Sequence, residues 1–178
     1  MKVFPSISVI LLMAFALSSC KKESPVTVDT IPPVLSMTIS GGGITKTFNH
    51  TDDYSIGTFN LKPSTRYTIS AIIADSGGTQ NLSLSLQNFL MNQDMAGAPN
   101  DSVIHRTLET TYLIKTTAAN PYKSLLLSGS FVTPDAANES FAFTISSNGR
   151  DYRPNVSNIN VPTTVDAHPV GGYGWVTF

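Results

Sequence analysis

The densest local group of side chains that could bind a cation is His50–Asp53, which combines an imidazole, a hydroxyl and two carboxylates. A hard cation such as calcium takes about six to eight oxygen ligands, and two adjacent carboxylates supply only part of that set. Because this ligand set is incomplete, we expect the segment His50–Asp53 to be a solvated loop between short strands. Asp75 opens the sequence DSGG, where an aspartate normally accepts a hydrogen bond from the backbone two residues on. We predict no metal site.

No set of residues has the spacing of a catalytic centre. The Gly-x-Ser-x-Gly sequence of α/β-hydrolases is absent, and Ser128–Ser130 lies in an apolar run typical of a strand. His50, His105 and His168 are isolated from one another, and the 12 acidic residues suggest no carboxylate pair for glycoside hydrolysis. We predict no catalytic residue and no cofactor. The alternative is a small hydrolase-like enzyme whose site forms only in the fold.

The C-terminal segment contains the best candidates for ligand-binding side chains, Tyr173 and Trp175. In a strand, alternation with a period of two places both rings on one face, and Val176 and Phe178 on the other. Two rings about 7 Å apart suit the stacking of two sugar rings. The favoured alternative is a core position for Trp175, because tryptophan is highly buried on average.

The composition indicates which elements position these residues. Charged residues make up only 13% of the 178 residues, whereas 21 are Ser and 20 are Thr. This balance is typical of the exposed faces of antiparallel sheets. A net charge of −1 gives no electrostatic case for a nucleic-acid binder, and a hydrophobic content of 41% argues against a disordered chain.

Alternating apolar residues predict about seven to ten short strands. The clearest alternations are Leu35–Ile39, Tyr67–Ile73, Leu82–Leu86 and Phe141–Ile145. Leu82, Leu84 and Leu86 should face the core, with Ser83 and Ser85 on the opposite face. Turns are predicted at Gly41–Gly43, Ser76–Gly78 and Asn148–Gly149, among others. We predict an all-β fold, an antiparallel β-sandwich over residues 34–178, and leave a subdivision near residues 90–100 open.

The first 19 residues have the features of a secretory signal peptide. Lys2 precedes an apolar run that is densest from Ile7 to Leu17 and is too short for a stable transmembrane span. The run ends in LSSC at Leu17–Cys20, which resembles the lipobox of bacterial lipoproteins. The resemblance implies that Cys20 is diacylglyceryl-modified and becomes the first residue after cleavage. The alternatives are an ordinary signal peptide with an incidental cysteine, or a buried N-terminal helix.

Lipidation of Cys20 has two consequences. The acyl chains would hold the protein to a membrane, and the single cysteine would leave none for a disulfide or a thiolate metal site. Residues 20–33 then form a lipidated, proline-containing tether. The run Lys21–Glu23 resembles the surface-export signal of Bacteroidota lipoproteins. It implies an outer-membrane lipoprotein, with exposure at the cell surface as a further expectation.

Two segments resemble bacterial immunoglobulin-like modules. Asp29–Leu35 is similar to the D-x-x-P-P opening that leads into their first strand, and Tyr67–Gly78 resembles their second strand and D-x-G-G turn. The resemblance covers roughly residues 29–90. It implies an immunoglobulin-like β-sandwich that serves as a spacer or binding module and has no catalytic residues.

Two tripeptides, Asp29–Ile31 and Asp101–Val103, resemble the D-(S/T)-apolar O-glycosylation sequence of Bacteroidota. The resemblance implies Thr30 and Ser102 as modification sites. Both lie in predicted loops, where a bulky sugar is tolerated.

These patterns together predict a lipid-anchored, non-catalytic lipoprotein of the outer membrane. Its β domain would bind a glycan or a protein, or act as a spacer. Besides the hydrolase-like enzyme, a structural subunit that assembles by pairing sheet edges stays an alternative.

Overall fold

A computed structural model describes residues 29–86, 96–98, 103–107, 111–136 and 139–177, with the backbone alone for 96–98 and 103–107. The prediction of an all-β fold is confirmed, because the described residues form eleven strands and no helix. The strands are β1 (Val34–Gly41), β2 (Ile44–Asn49), β3 (Gly57–Leu61), β4 (Arg66–Leu86), β5 (Ala96–Ala98), β6 (Val103–Thr107), β7 (Thr111–Lys115), β8 (Tyr122–Val132), β9 (Phe141–Asp151), β10 (Val156–Val165) and β11 (Gly174–Thr177). Within these ranges, no helix has the length and apolar character needed to cross a membrane.

The long strand β4 belongs to both layers of the fold. Its first half pairs with β1 and β8, which continue outward to β2 and β5. Its second half pairs with β7 and β9, which continue to β6 on one side and to β10, β3 and β11 on the other. All pairings are antiparallel except that of β3 with β10. Strands on both sides of residues 90–100 therefore share one hydrogen-bonded sheet through β4.

Side-chain contacts show that the two layers lie face to face. The rings of Phe48 in β2 and Phe59 in β3 have centroids 5.2 Å apart. A Cβ placed on Gly149 of β9 would lie only 2.1 Å from Ile73 Cδ1 of β4. Apolar alternation supplies the inward faces as predicted: Leu82, Leu84 and Leu86 are fully buried, whereas Ser83 and Ser85 are half-buried on the opposite face.

The turn predicted at Ser76–Gly78 is wrong, because β4 runs through this segment. The pairing with β8 shifts register between Ala74 and Thr79, which is the signature of a bulge. Gly78 has a φ of +102°, and a Cβ at this position would lie 2.7 Å from Pro121 Cβ. The glycines therefore allow β4 to pass from one layer to the other without ending the strand.

The turn predicted at Asn148–Gly149 is also wrong, because both residues lie inside β9. Gly149 is buried directly beneath Ile73, where no side chain would fit. A glycine inside a strand often marks a close approach of this kind rather than a turn.

Strand β10 is absent from the sequence prediction. The strand is hard to recognise from the sequence because it contains two asparagines and Pro162, residue types that are uncommon in strands. Every second residue is nevertheless buried: Ser157, Ile159, Val161, Thr163 and Val165. Thr58 Oγ1 donates to the Pro162 carbonyl at 3.3 Å, so this carbonyl faces β3. The backbone N and O atoms of one strand residue point toward the same neighbouring strand, so the nitrogen of Pro162 also faces β3. Because this nitrogen does not face β9, its lack of an N–H removes no hydrogen bond between β10 and β9.

Residues 29–33, the last part of the predicted tether, lie against the sandwich. Asn155 Nδ2 donates to the Asp29 carbonyl at 3.1 Å, and Ser157 Oγ donates to the Pro33 carbonyl. The chain thus enters β1 from a fixed position beside the start of β10.

Candidate functional site

The loop from His50 to Ile56 connects β2 to β3; hydrogen bonds tie its start to β1, and a further bond lies within the loop. The Leu35 N–H donates to His50 Nδ1 at 3.1 Å, and the His50 N–H donates to the Leu35 carbonyl at 3.1 Å. The imidazole is therefore occupied in tying the loop to β1. Within the loop, the Ser55 N–H donates to Asp53 Oδ1 at 2.9 Å.

Tyr54 is the central residue of this loop. Its hydroxyl accepts a hydrogen bond from the Asn49 N–H at 2.6 Å and donates to Asp52 Oδ2 at 2.9 Å. Burial of the ring raises the pKa of Tyr54 to about 12, and the Asp52 carboxylate adds to this shift. Tyr54 therefore stays protonated at neutral pH and remains a donor to Asp52.

Both carboxylates of the loop are stabilised in the ionised form. The hydrogen bond from Tyr54, followed by that from Asn49, lowers the pKa of Asp52. The backbone N–H of Ser55, followed by its side chain, lowers the pKa of Asp53. Because their partners lie within the same short segment, these hydrogen bonds also hold the two carboxylates in position.

A groove of about 380 Å³ lies between this loop and the outer face of β9 and β10. We call it the Asp–Asn groove; its lining residues are Asp52, Asp53, Tyr54 and Ser55 from the loop, Thr144 from β9, and Asn158, Asn160 and Pro162 from β10. Asn158 and Asn160 are exposed and alternate with the buried residues of β10. The groove presents carboxylates, amides and hydroxyls, and its lining contains no cationic side chain.

Trp175 packs against Tyr54, a residue of the Asp–Asn groove, and does not itself line the groove. Its ring packs edge-to-face against Tyr54, with centroids 5.4 Å apart, and against Phe48 at 6.0 Å. It is half-buried against the hydrophobic core. The structure therefore places one of the two sequence-predicted aromatic residues in contact with a groove residue, and a role of Trp175 in stacking on a sugar stays a prediction.

Tyr173 lies just before β11 and has different neighbours from Trp175. Its hydroxyl donates to the Ala167 carbonyl at 2.8 Å, and Lys62 Nζ lies 5.2 Å from the centroid of its ring. A cation over an aromatic face is a stabilising contact. The two rings therefore have separate packing environments.

The fold also brings together three carboxylates that the sequence does not associate. Oxygen atoms of Asp29, Asp75 and Asp151 all lie within 4.8 Å of one another, which is close enough to hold a metal ion. Each carboxylate accepts a hydrogen bond within the protein: Asp29 from the Ile31 N–H, Asp75 from the Gly77 N–H, and Asp151 from Asn155. The bond at Asp75 is the local capping contact predicted from the sequence.

A second groove, of about 340 Å³, lies on the outer face of β1, β4 and β8. Six of its eight lining residues have hydroxyl side chains, and none of the eight is charged. Two hydroxyl pairs join β1 to β2 on the same face: Thr38 with Thr47 at 2.9 Å and Ser40 with Thr45 at 2.7 Å. Two of the hydroxyls that line the groove, those of Thr38 and Ser40, are therefore hydrogen-bonded to threonines of β2.

The remaining predicted sites are modification sites. Thr30 is exposed at the start of the described chain, next to Asp29. Cys20 and Ser102 lie outside the described residues. Lipidation and glycosylation at these positions stay predictions.

Comparisons with known proteins give limited similarity. No family model matches the chain, and neither does any curated protein sequence. Among solved structures, a DUF4466 family protein from Parabacteroides merdae is 11% identical with a TM-score of 0.44, over 77% of this chain. This chain spans only 46% of that protein. Self-complemented MyfA, the major subunit of Myf fimbriae from Yersinia enterocolitica, solved in complex with galactose, is 11% identical with a TM-score of 0.30, over 65% of this chain and 92% of that one. Because both TM-scores are below 0.5, these similarities do not indicate the function of this chain.

Proposed function

We propose that this chain is a lipoprotein of the bacterial cell envelope, anchored through Cys20, whose β domain is a non-catalytic binding module. The observation that supports the binding role is the Asp–Asn groove, where a held loop and a rigid strand present polar side chains to one space. Its volume falls within the range of small-ligand sites, about 300–1,000 Å³.

The anchoring role rests on the sequence LSSC at Leu17–Cys20. Residues 21–28 connect Cys20 to Asp29, whose carbonyl is hydrogen-bonded to Asn155 of the sandwich. A connection of this length keeps the domain close to the membrane surface. Outer-membrane location and surface exposure belong to the same proposal.

Metabolic labelling with a palmitate analogue tests the anchor. We expect the wild-type protein to be labelled and to stay with the membrane fraction after a high-salt wash. The Cys20→Ala variant should be unlabelled and should lose stable membrane attachment, because the removed thiol is the acylation site. Ser19→Ala is the control, since alanine is also a small residue before the cysteine. Equal labelling of wild type and Cys20→Ala would contradict the proposal.

A further inference from the structure

We propose that the Asp–Asn groove is a binding site for a saccharide without acidic groups, that is, a neutral sugar or an amino sugar. This inference rests on the proposed function and assigns the ligand class of its binding site. It differs from the prediction of sugar stacking on Tyr173 and Trp175, because the groups that would contact the ligand are carboxylates, amides and hydroxyls of other residues.

The first argument is the match between the groove and the chemistry of sugar hydroxyls. A hydroxyl both donates and accepts, so its recognition requires acceptors and donors side by side. Asp52 and Asp53 supply acceptors, and the amides of Asn158 and Asn160 supply both kinds of group. Neither asparagine side chain has a hydrogen-bond partner within the part of the chain that the structure describes, so both are available to a ligand.

The second argument is that these groups are held in place before a ligand arrives. Asp52 is held by Tyr54 at 2.9 Å, and Asp53 by the Ser55 N–H at 2.9 Å. An ionised carboxylate has about four lone-pair positions, so each still has acceptor capacity for a ligand. Asn158 and Asn160 are two residues apart on β10, which sets their side chains about 7 Å apart on one face. A held site loses less conformational entropy on binding.

The third argument is charge. The two ionised carboxylates make the groove negative, and none of its lining residues is Lys, Arg or His. A uronic acid, a sulfated sugar or a phosphate would meet like charge without a compensating cation. An amino sugar would gain from the same carboxylates, and a neutral sugar would meet no electrostatic penalty.

A divalent cation is a poorer fit to this groove. Calcium takes about six to eight oxygens, usually from several carboxylates. Within the described residues, the one group of three acidic side chains close enough to hold a metal is Asp29, Asp75 and Asp151, which shares no residue with the groove.

Saturation-transfer difference NMR on the purified full-length protein tests the proposal. The probes are glucose, galactose, N-acetylglucosamine and glucosamine, with glucuronic acid as the acidic counterpart of glucose and calcium chloride as the cation probe. We expect saturation transfer to at least one of the four non-acidic sugars, and at least tenfold weaker binding of glucuronic acid than of the non-acidic sugar that binds best.

The variant Asn158→Ala/Asn160→Ala should weaken binding about tenfold or more, because about two hydrogen bonds to the ligand are removed. Both side chains are exposed, so the melting temperature should stay at the wild-type value. Asn120→Ala is the matched control, since Asn120 is an exposed asparagine before β8 and does not line the groove. It should bind like the wild type.

Four results would overturn the inference. The first is the absence of transfer to all four sugars, and the second is binding that is unchanged in the double variant. The third is binding of glucuronic acid as strong as that of the best-binding non-acidic sugar. The fourth is a calcium-induced shift of the Asn158 and Asn160 signals without sugar binding. Sugar binding that survives in the double variant would remove the groove as the site but keep the binding function. Loss of membrane attachment is measured separately, so failure of the anchor cannot be mistaken for failure of the groove.

Discussion

At the scale of single residues, Tyr54 connects the groove to the core. Its hydroxyl binds Asp52 at the groove, and its ring packs against Phe48 and Trp175 on the other side. One side chain thus orders a surface loop and also contributes to the apolar interior. This dual role makes the loop dependent on the protonation state of a single phenol.

The raised pKa of Tyr54 predicts a loss of stability at alkaline pH. A group whose pKa rises from 10.0 to about 12 on folding stabilises the fold fully below pH 10, and this contribution is lost as the pH increases toward about 12. We expect the free energy of unfolding of the wild type to fall between about pH 10 and about pH 12 in urea titrations.

Tyr54→Phe is the control for this pH effect, because it keeps the ring and removes the ionisable group. The variant should be less stable at neutral pH, since the Asn49 N–H and Asp52 lose a partner, but it should lose less stability across the alkaline range. Burial also raises the pKa of Tyr67, so the comparison with Tyr54→Phe isolates the contribution of Tyr54. Parallel pH profiles for the two proteins would contradict the assignment.

At the scale of elements, two strands pass through sequences that look like turns. The DSGG segment becomes a bulge inside β4, and Asn148–Gly149 lies within β9. In both places a glycine meets a neighbour that leaves no space for a side chain: Pro121 over Gly78 and Ile73 over Gly149. The glycines in these strands therefore serve close packing of the layers.

Gly149→Ala should destabilise the protein by about 1–3 kcal/mol, because the new methyl group would overlap Ile73 in the fully packed core. In the background of Ile73→Val, which removes the Cδ1 atom, the same substitution should cost less. A double-mutant cycle from urea melts measures this coupling. Asn148→Ala, at the exposed neighbouring position, should change the stability by less than about 0.5 kcal/mol. Additive effects of Gly149→Ala and Ile73→Val would contradict the packing argument.

At the scale of the whole molecule, the two layers meet where β2 lies close to β11. Phe48 from β2, Phe59 from β3, Tyr54 from the connecting loop and Trp175 from β11 form one aromatic cluster at this place. The sheet that begins at β11 and ends at β2 thus comes back upon itself. The Asp–Asn groove lies beside this cluster, so the closure of the layers also supports the site.

Trp175→Ala should therefore lower the free energy of unfolding by at least about 2 kcal/mol, the lower end of the range for large-to-small core changes. Wild-type Trp175, the only tryptophan, should emit at short wavelength and be partly shielded from acrylamide. Val170→Ala is the control in the loop before β11, because Val170 is 88% exposed and should contribute little. A red-shifted, fully quenchable Trp175 whose alanine variant is as stable as the wild type would contradict the packing.

The sequence by itself determined the class of the fold and the faces of its best strands. Alternation at Leu35–Ile39, Tyr67–Ile73 and Leu82–Leu86 predicts burial that the structure confirms, because a period of two is a local property of an extended chain. The capping bond of Asp75 is equally local and was also predictable. The resemblance to a lipobox at Cys20 likewise depends on a few adjacent residues.

Only the tertiary structure decided which glycines and asparagines lie in strands rather than in turns, and which residues share a site. The sequence does not predict β10, because its asparagines and its proline are untypical of a strand. In the fold, the asparagines face outward into the Asp–Asn groove, and the nitrogen of Pro162 points away from β9, so no hydrogen bond to β9 is lost. Both facts depend on the neighbouring strands. Asp52 and Asp53 line the same groove as Asn158 and Asn160 only because the loop after β2 lies beside β10. Contacts between residues so distant in sequence arise from the pairing of strands, which local propensity does not encode.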